Sequence, residues 1–204
     1  MIRILQIVIL SLISASCTNP LNVITADRYF QQGKQLSSQG NWSEARVAYG
    51  RALTNVEWGN LPESSKALYS FNFGRASGVI CDWENAEKYL EQAYNIYAKT
   101  EPQLHYELIE LAQMNDARGN YSKASQYYSM TIVEVKKHNL DKNAPMAHAD
   151  TLSRYSTVES KLGNNEKSLL LKQEADLIIK SNPGKSIPAG TPYGKFCTKK
   201  SESD

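Results

Sequence analysis

Apolar residues are distributed along this chain in two distinct ways. Near the start, Ile4 to Ile13 forms an apolar run interrupted only by Gln6 and Ser11, with Arg3 just before it and Ser14-Ala15-Ser16 just after. Such a run is too short to cross a bilayer, which takes ~20 residues. A positive charge, a short apolar stretch and then small residues is the pattern of a secretory signal. Residues 1–16 are therefore read as an address and left out of the fold. Beyond them bulky residues stand apart and gather about small ones: Tyr29 and Leu36 about Gly33, Tyr49 and Leu53 about Ala52. Small residues at matched heights let two helix backbones approach closely.

The spacing repeats. Four hexamers align: Gly40-Asn41-Trp42-Ser43-Glu44-Ala45, Cys81-Asp82-Trp83-Glu84-Asn85-Ala86, Gly119-Asn120-Tyr121-Ser122-Lys123-Ala124 and Gly163-Asn164-Asn165-Glu166-Lys167-Ser168, at intervals of 41, 38 and 44 residues. Gly in the first place suits the left-handed residue that ends a helix, and Asn or Asp in the second suits the cap of the next. Asn41 with Glu44 is spaced like a capping box. Each hexamer thus predicts a turn between two helices. Gly33, Gly74, Ala112 and Ser156 stand seven places before the turns, and Ala52, Ala93, Thr131 and Ala175 twelve after. Pro62, Pro102, Pro145 and Pro183 follow the pairs and separate them, because proline lacks an amide donor and disfavours helix in the residue before it. These prolines fall late, which predicts second helices longer by one or two turns.

The pattern resembles the tetratricopeptide repeat family from about Ala26 to Ser181. The first repeat matches through Tyr29, Gly33, Gly40, Trp42, Ala45, Tyr49 and Ala52, the second through Gly74, Trp83, Ala86, Leu90 and Ala93, and the third through Leu108, Ala112, Gly119, Tyr121, Ala124 and Tyr128. In the fourth, Asn165, Ser168 and Lys172 replace family residues, as a terminal, solvent-facing repeat allows. The resemblance implies an all-α fold, a right-handed superhelical array of about four antiparallel helix pairs. Residues 26–181 would form that domain. Residues 18–25 would be a tether, with Thr25 capping the first helix, and residues 182–204, rich in Pro and Gly, an extended or disordered tail.

Ser14-Ala15-Ser16-Cys17 resembles the lipobox of bacterial lipoproteins, with Ser14 where that family usually has Leu. The resemblance implies that Cys17 becomes a lipidated mature N-terminus, stably held when several acyl chains insert together. Thr18 in the next position points to the outer membrane, facing the periplasm. Ser14 and Ser16 equally suit an ordinary signal peptidase, which would leave a soluble secreted or periplasmic chain.

Charge and chemistry narrow the function. Lys and Arg number 23 against 21 Asp and Glu, a net charge of +2, without the basic excess of a nucleic-acid binder. No nucleic-acid partner and no cofactor is expected. His105, His138 and His148 never stand three or four residues apart, so no helical metal pair is expected, and no catalytic signature is present; an enzyme is not expected. Cys81 and Cys197 remain beside Cys17. In an oxidising envelope they either form an intramolecular bridge or stay as separate thiols.

In the tetratricopeptide family the first helix of each pair lines a concave groove that binds peptides or partner helices. Carried over by position, the resemblance implies a groove bearing Phe30, Lys34, Phe71, Asn72, Arg75, Tyr106, Gln113 and Arg154. Aromatic anchors beside arginine are typical of interaction hot spots. The expectation is a non-enzymatic protein–protein interaction scaffold or assembly factor of the bacterial cell envelope, with a protein or peptide partner. The alternatives are an envelope hydrolase using Cys81 with a histidine, and a structural module that self-associates through the end of its array.

Overall fold

The computed structural model describes residues 19–100 and 103–197. The signal segment, Cys17 and Pro102 lie outside the described residues. Nine helices occur among the described residues: α1 (Pro20–Ser38), α2 (Trp42–Trp58), α3 (Glu63–Val79), α4 (Trp83–Thr100), α5 (His105–Arg118), α6 (Tyr121–Lys137), α7 (Leu140–Asn143), α8 (Pro145–Lys161) and α9 (Asn165–Ser181). α1–α2, α3–α4, α5–α6 and α8–α9 form hairpins, and α2 packs on α3, α4 on α5 and α6 on α8. This is a right-handed superhelical array of four antiparallel pairs, the tetratricopeptide-repeat fold.

The four hexamers make four equivalent bends. Gly40, Cys81, Gly119 and Gly163 have φ of 81°, 67°, 85° and 81°. In each bend the next residue's amide reaches back to the carbonyl four places before the left-handed one. The bonds are Asn41 N–H to Leu36 O (2.9 Å), Asp82 to Ser77 (2.9 Å), Asn120 to Asn115 (2.8 Å) and Asn164 to Glu159 (2.9 Å). These bonds satisfy carbonyls that a helix end would otherwise leave open. Cys81 therefore sits where its neighbours use glycine, at a φ that L-residues adopt only at a cost.

Close approach within pairs follows the small residues. A Cβ on Gly33 would stand 2.6 Å from the Tyr49 ring, and one on Gly74 would stand 2.9 Å from Leu90 Cγ. Ser156 donates to the carbonyl of Ser168 at 2.8 Å. Ala45, Ala52, Ala86, Ala93, Ala112, Ala124 and Ala175 are completely buried. Charge then links neighbouring pairs. Arg46 bonds Asp82 in the next bend, Glu87 receives Arg118 and Lys123, and Ser125 donates to Glu159 at 2.5 Å.

Three boundaries differ from expectation. α1 begins at Pro20, capped by Asn19, whose side chain accepts from Leu21 N; Thr25 lies within the helix, and most of the expected tether is helical. Pro at the first helical position loses no bond that the helix could have made. Asn41 makes no side-chain cap bond, so the capping box is not formed. Second helices are not uniformly lengthened: α4 and α6 exceed their partners (18 against 17 and 17 against 14 residues), α9 equals α8 at 17, and α2 at 17 is shorter than α1 at 19. The long third interval is absorbed by the four-residue α7, entered through Asn139 at φ 54°.

Candidate functional site

The first helices α1, α3, α5 and α8 line the inner face of the array. The residues assigned to it from sequence separate into three groups. Phe30 is a correction: it is 8% exposed and belongs to the core of the first repeat, its ring 4.7 Å from that of Tyr69 and 5.7 Å from that of Tyr49. Its helical position points partly at the next pair, and the aromatic faces there capture it. Lys34 is exposed, with Nζ 6.0 Å from the Phe30 ring. Tyr106 is 66% exposed, its ring 4.0 Å from that of His105. Asn72 turns its amide onto its own helix, at Leu68 O. Phe71 packs against the core of the middle repeats with the Arg75 guanidinium over its ring.

The third group meets the tail. Residues 182–197 carry no helix beyond α9's end, as the Pro and Gly content suggests, yet the segment from Gly190 is seated on the inner face. Thr191 is 7% exposed. Its Oγ1 accepts from Arg75 Nε (3.0 Å) and Nη2 (2.7 Å) and donates to Glu110 Oε1 (2.9 Å). Tyr193 donates its hydroxyl to Glu110 Oε2 at 2.6 Å, and Arg75 Nε itself lies 3.2 Å from Glu110 Oε1. The Tyr193 ring fills the space that a side chain on Gly78 would take, 2.6 Å from where that Cβ would be. Burial and the adjacent Glu110 carboxylate push the Tyr193 phenol above its ordinary value, so it remains a donor at neutral pH. Gly190 passes Gln113 and Arg154, which a Cβ there would approach to 3.2 and 3.3 Å. Arg154 is held by Asp150 at 2.8 Å.

Beyond Tyr193 the tail runs along the end of α3. Gly194 N–H bonds Gly78 O at 3.3 Å and Phe196 N–H bonds Val79 O at 3.2 Å. Cys197 is disulfide-bonded to Cys81, with Cα atoms 5.1 Å apart. A bonded sulfur is no free nucleophile, so the structure offers no thiolate at position 81 for the hydrolase alternative. Gly78 and Glu110 stand at groove offsets of the family pattern, one turn beyond Arg75 and level with Asn72 respectively, but nothing in the sequence placed Thr191 and Tyr193 against them. The structure brings them together from two helices and the tail.

A separate cavity of about 150 Å³ opens between α5, α6, α7 and α8, lined mostly by apolar groups such as Ile109, Val135 and Leu140 together with His105 and His148. Burial holds both histidines below the ordinary imidazole range, so they are neutral at neutral pH. His148 Nε2 faces Glu174 at 3.8 Å. Among the described residues no cluster of His, Cys, Asp and Glu is arranged to hold a metal. Among them, too, no helix is long and apolar enough to cross a membrane.

No family model matches the chain and no curated protein matches it. Solved structures do. BtubC (BKLC) from P. vanneervenii superposes with a TM-score of 0.72 at 16% identity, over 83% of this chain and 70% of that one. The TPR-like repeats of a putative kinesin light chain from Podosopora anserina give 0.63 at 16% identity, over 78% and 77%. MamA gives 0.60 at 15% identity, over 76% and 79%. At these identities the likeness is one of fold.

Proposed function

We propose that this chain is a non-enzymatic interaction scaffold or assembly factor of the bacterial cell envelope that grips a protein segment on the inner face of its repeat array. In this reading Cys17 is the lipidated N-terminus and the array faces the periplasm from the outer membrane. The observation that carries it is the inner face itself, where a non-helical segment already lies on α3 and α5 through charge-assisted hydrogen bonds, with Tyr106 exposed one turn before Glu110 on α5. An array whose first helices offer aromatic rings, Arg75 and Lys34 has the composition that binding hot spots favour. The signal pattern and the Cys81–Cys197 bond both suit an oxidising compartment outside the cytoplasm.

Crosslinking on intact membranes followed by mass spectrometry tests the scaffold role. The native chain should yield a defined protein crosslinked to inner-face residues, and Lys34→Glu with Tyr106→Ala should remove it while the helical circular dichroism is unchanged. The same crosslinks from both chains would refute the inner face as the gripping surface. Intact mass of the membrane-extracted chain tests the anchor; a mature chain without lipid mass refutes it.

Self-association is a second reading, favoured by the ends of the array. On α9, Leu169, Leu170 and Leu177 are 56%, 60% and 65% exposed, and on α1 Leu21 and Ile24 are 73% and 59% exposed. Stacked repeats leave an apolar face at each end unless it is capped. Light scattering on the eluting chain distinguishes the readings, since end-to-end stacking gives a mass that rises with concentration and falls on Leu170→Lys.

A further inference from the structure

Residues 190–197 contact the inner face as a bound peptide would. The backbone folds into a turn, Lys195 N–H bonding Pro192 O at 3.2 Å with Gly194 left-handed; two of its amides pair with the last carbonyls of α3, and two side-chain hydroxyls use both oxygens of one carboxylate. We infer that Arg75, Gly78 and Glu110 form a receptor for turn-forming segments carrying threonine and tyrosine two residues apart, and that Thr191-Pro192-Tyr193-Gly194 is its resident ligand. The partner is a protein that presents such a segment and takes the seat when the tail leaves it. The inference deepens the inner-face reading above and rests on it only in taking that face as the binding surface.

Each position of the ligand is read by a different physical feature. Thr191 accepts from a guanidinium and donates to a carboxylate, so its hydroxyl is used in both directions; serine would serve, and valine would leave Arg75 and Glu110 facing an apolar methyl. Tyr193 is selected twice. Its ring needs the missing side chain at Gly78, and its hydroxyl is the partner of Glu110 Oε2; phenylalanine would fill the slot and leave that oxygen without this bond. The position between them gives its amide to none of these contacts, so proline is admitted there at no loss. Gly194 lies with φ 72° against Trp83, a conformation that glycine adopts without strain.

The resident ligand is held by a covalent bond as well as by this network. A dithiol reductant that attacks the disulfide through a mixed disulfide leaves Cys81 and Cys197 as two thiols and is itself oxidised to a disulfide. Reduction alone would still leave the tail tethered beside its seat at high effective concentration. After reduction a competitor must exceed that effective concentration to take the site, and loss of the side-chain anchors lowers the threshold.

The test uses the full chain and a labelled synthetic peptide of residues 187–196. With Thr191→Ala, Tyr193→Ala and Cys197→Ser combined, the chain should bind the peptide saturably by fluorescence anisotropy, whereas the native oxidised chain should not. A peptide with Phe for Tyr193 should bind about tenfold more weakly, and adding Glu110→Gln to the chain should abolish the preference for tyrosine. Absence of binding by a triple variant that keeps its helical spectrum would overturn the inference, as would equal binding of the Tyr and Phe peptides. Should the triple variant lose its fold, hydrogen exchange on Cys197→Ser decides: the amides of Gly194 and Phe196 stay protected if the seat itself binds, and exchange freely if only the disulfide kept the tail there. None of these readouts depends on the envelope partner, so the crosslinking result and this one succeed or fail separately.

Discussion

The second and fourth bends of the array share one backbone geometry and are secured by opposite means. At the second, Cys81 takes the left-handed place and is bonded to Cys197. At the fourth, Gly163 takes it, and the security comes from Glu159, a fully buried carboxylate that accepts from Ser125 (2.5 Å), Asn164 (2.6 Å) and Lys167 (3.0 Å). Burial alone would raise the Glu159 pKa, but these three donors outweigh it and hold the carboxyl below its ordinary value. A repeat fold thus leaves each bend free to acquire its own fastening once the backbone is set. The same slot that is ordinary in three repeats became in one the anchor point for a distant segment.

Reagents that attack one fastening and spare the other sharpen this contrast. Cys197→Ser should have the largest effect. The bond closes a separation of 116 residues, worth about 4–5 kcal/mol in the chain-entropy model, and thermal unfolding under non-reducing conditions should show that loss. Glu159→Ala should cost about 2–3 kcal/mol, measured by urea denaturation. Its acid response has a defined sign: a carboxyl depressed in the folded chain stabilises above its unfolded value and loses that contribution as pH falls through the folded value. Native stability should therefore decline with acid below about pH 4.3, and Glu159→Ala should flatten the decline while Cys197→Ser leaves its slope intact. Gly119→Ala should cost about 1 kcal/mol. A Cβ there meets nothing within 4 Å, so the positive φ alone is responsible. The smallest effect belongs to Asn41→Ala, within about 0.5 kcal/mol, because its side chain caps nothing, against about 1 kcal/mol for Asn120→Ala, whose side chain accepts from Lys123 N at 3.5 Å.

What the sequence discloses follows from how local each feature is. The bends are legible because Gly, Asn and an aromatic stand within six residues of one another, and the close helix contacts because small residues recur at fixed distances from them. Cys81 is legible as a glycine substitute for the same reason. The start of α1 was available in Asn19-Pro20, a cap followed by proline at the first helical position, but Thr25 before Ala26 and Asp27 offered a competing cap. Phe30 was misassigned because its offset points between repeats as well as into the groove: it meets the rings of Tyr49 and Tyr69, and Phe71 at the same offset packs on the core of the middle repeats. The groove positions under the tail were legible, but its seating there was hidden. Residues 182–197 have no period, and the residues that receive them, Arg75, Gly78 and Glu110, become neighbours only after α3 and α5 stack.

The Cys81–Cys197 bond also decides how the molecule would carry mechanical load. A pull between α1 and the end of the tail enters at one side, reaches position 81 and crosses directly through the sulfurs to position 197. Tension then stretches α1, α2 and α3, while α4 to α9 hang in a slack covalent circuit that the force bypasses. The array would yield under traction in its first third and stop, with the remaining helices spared as long as the bond stays oxidised.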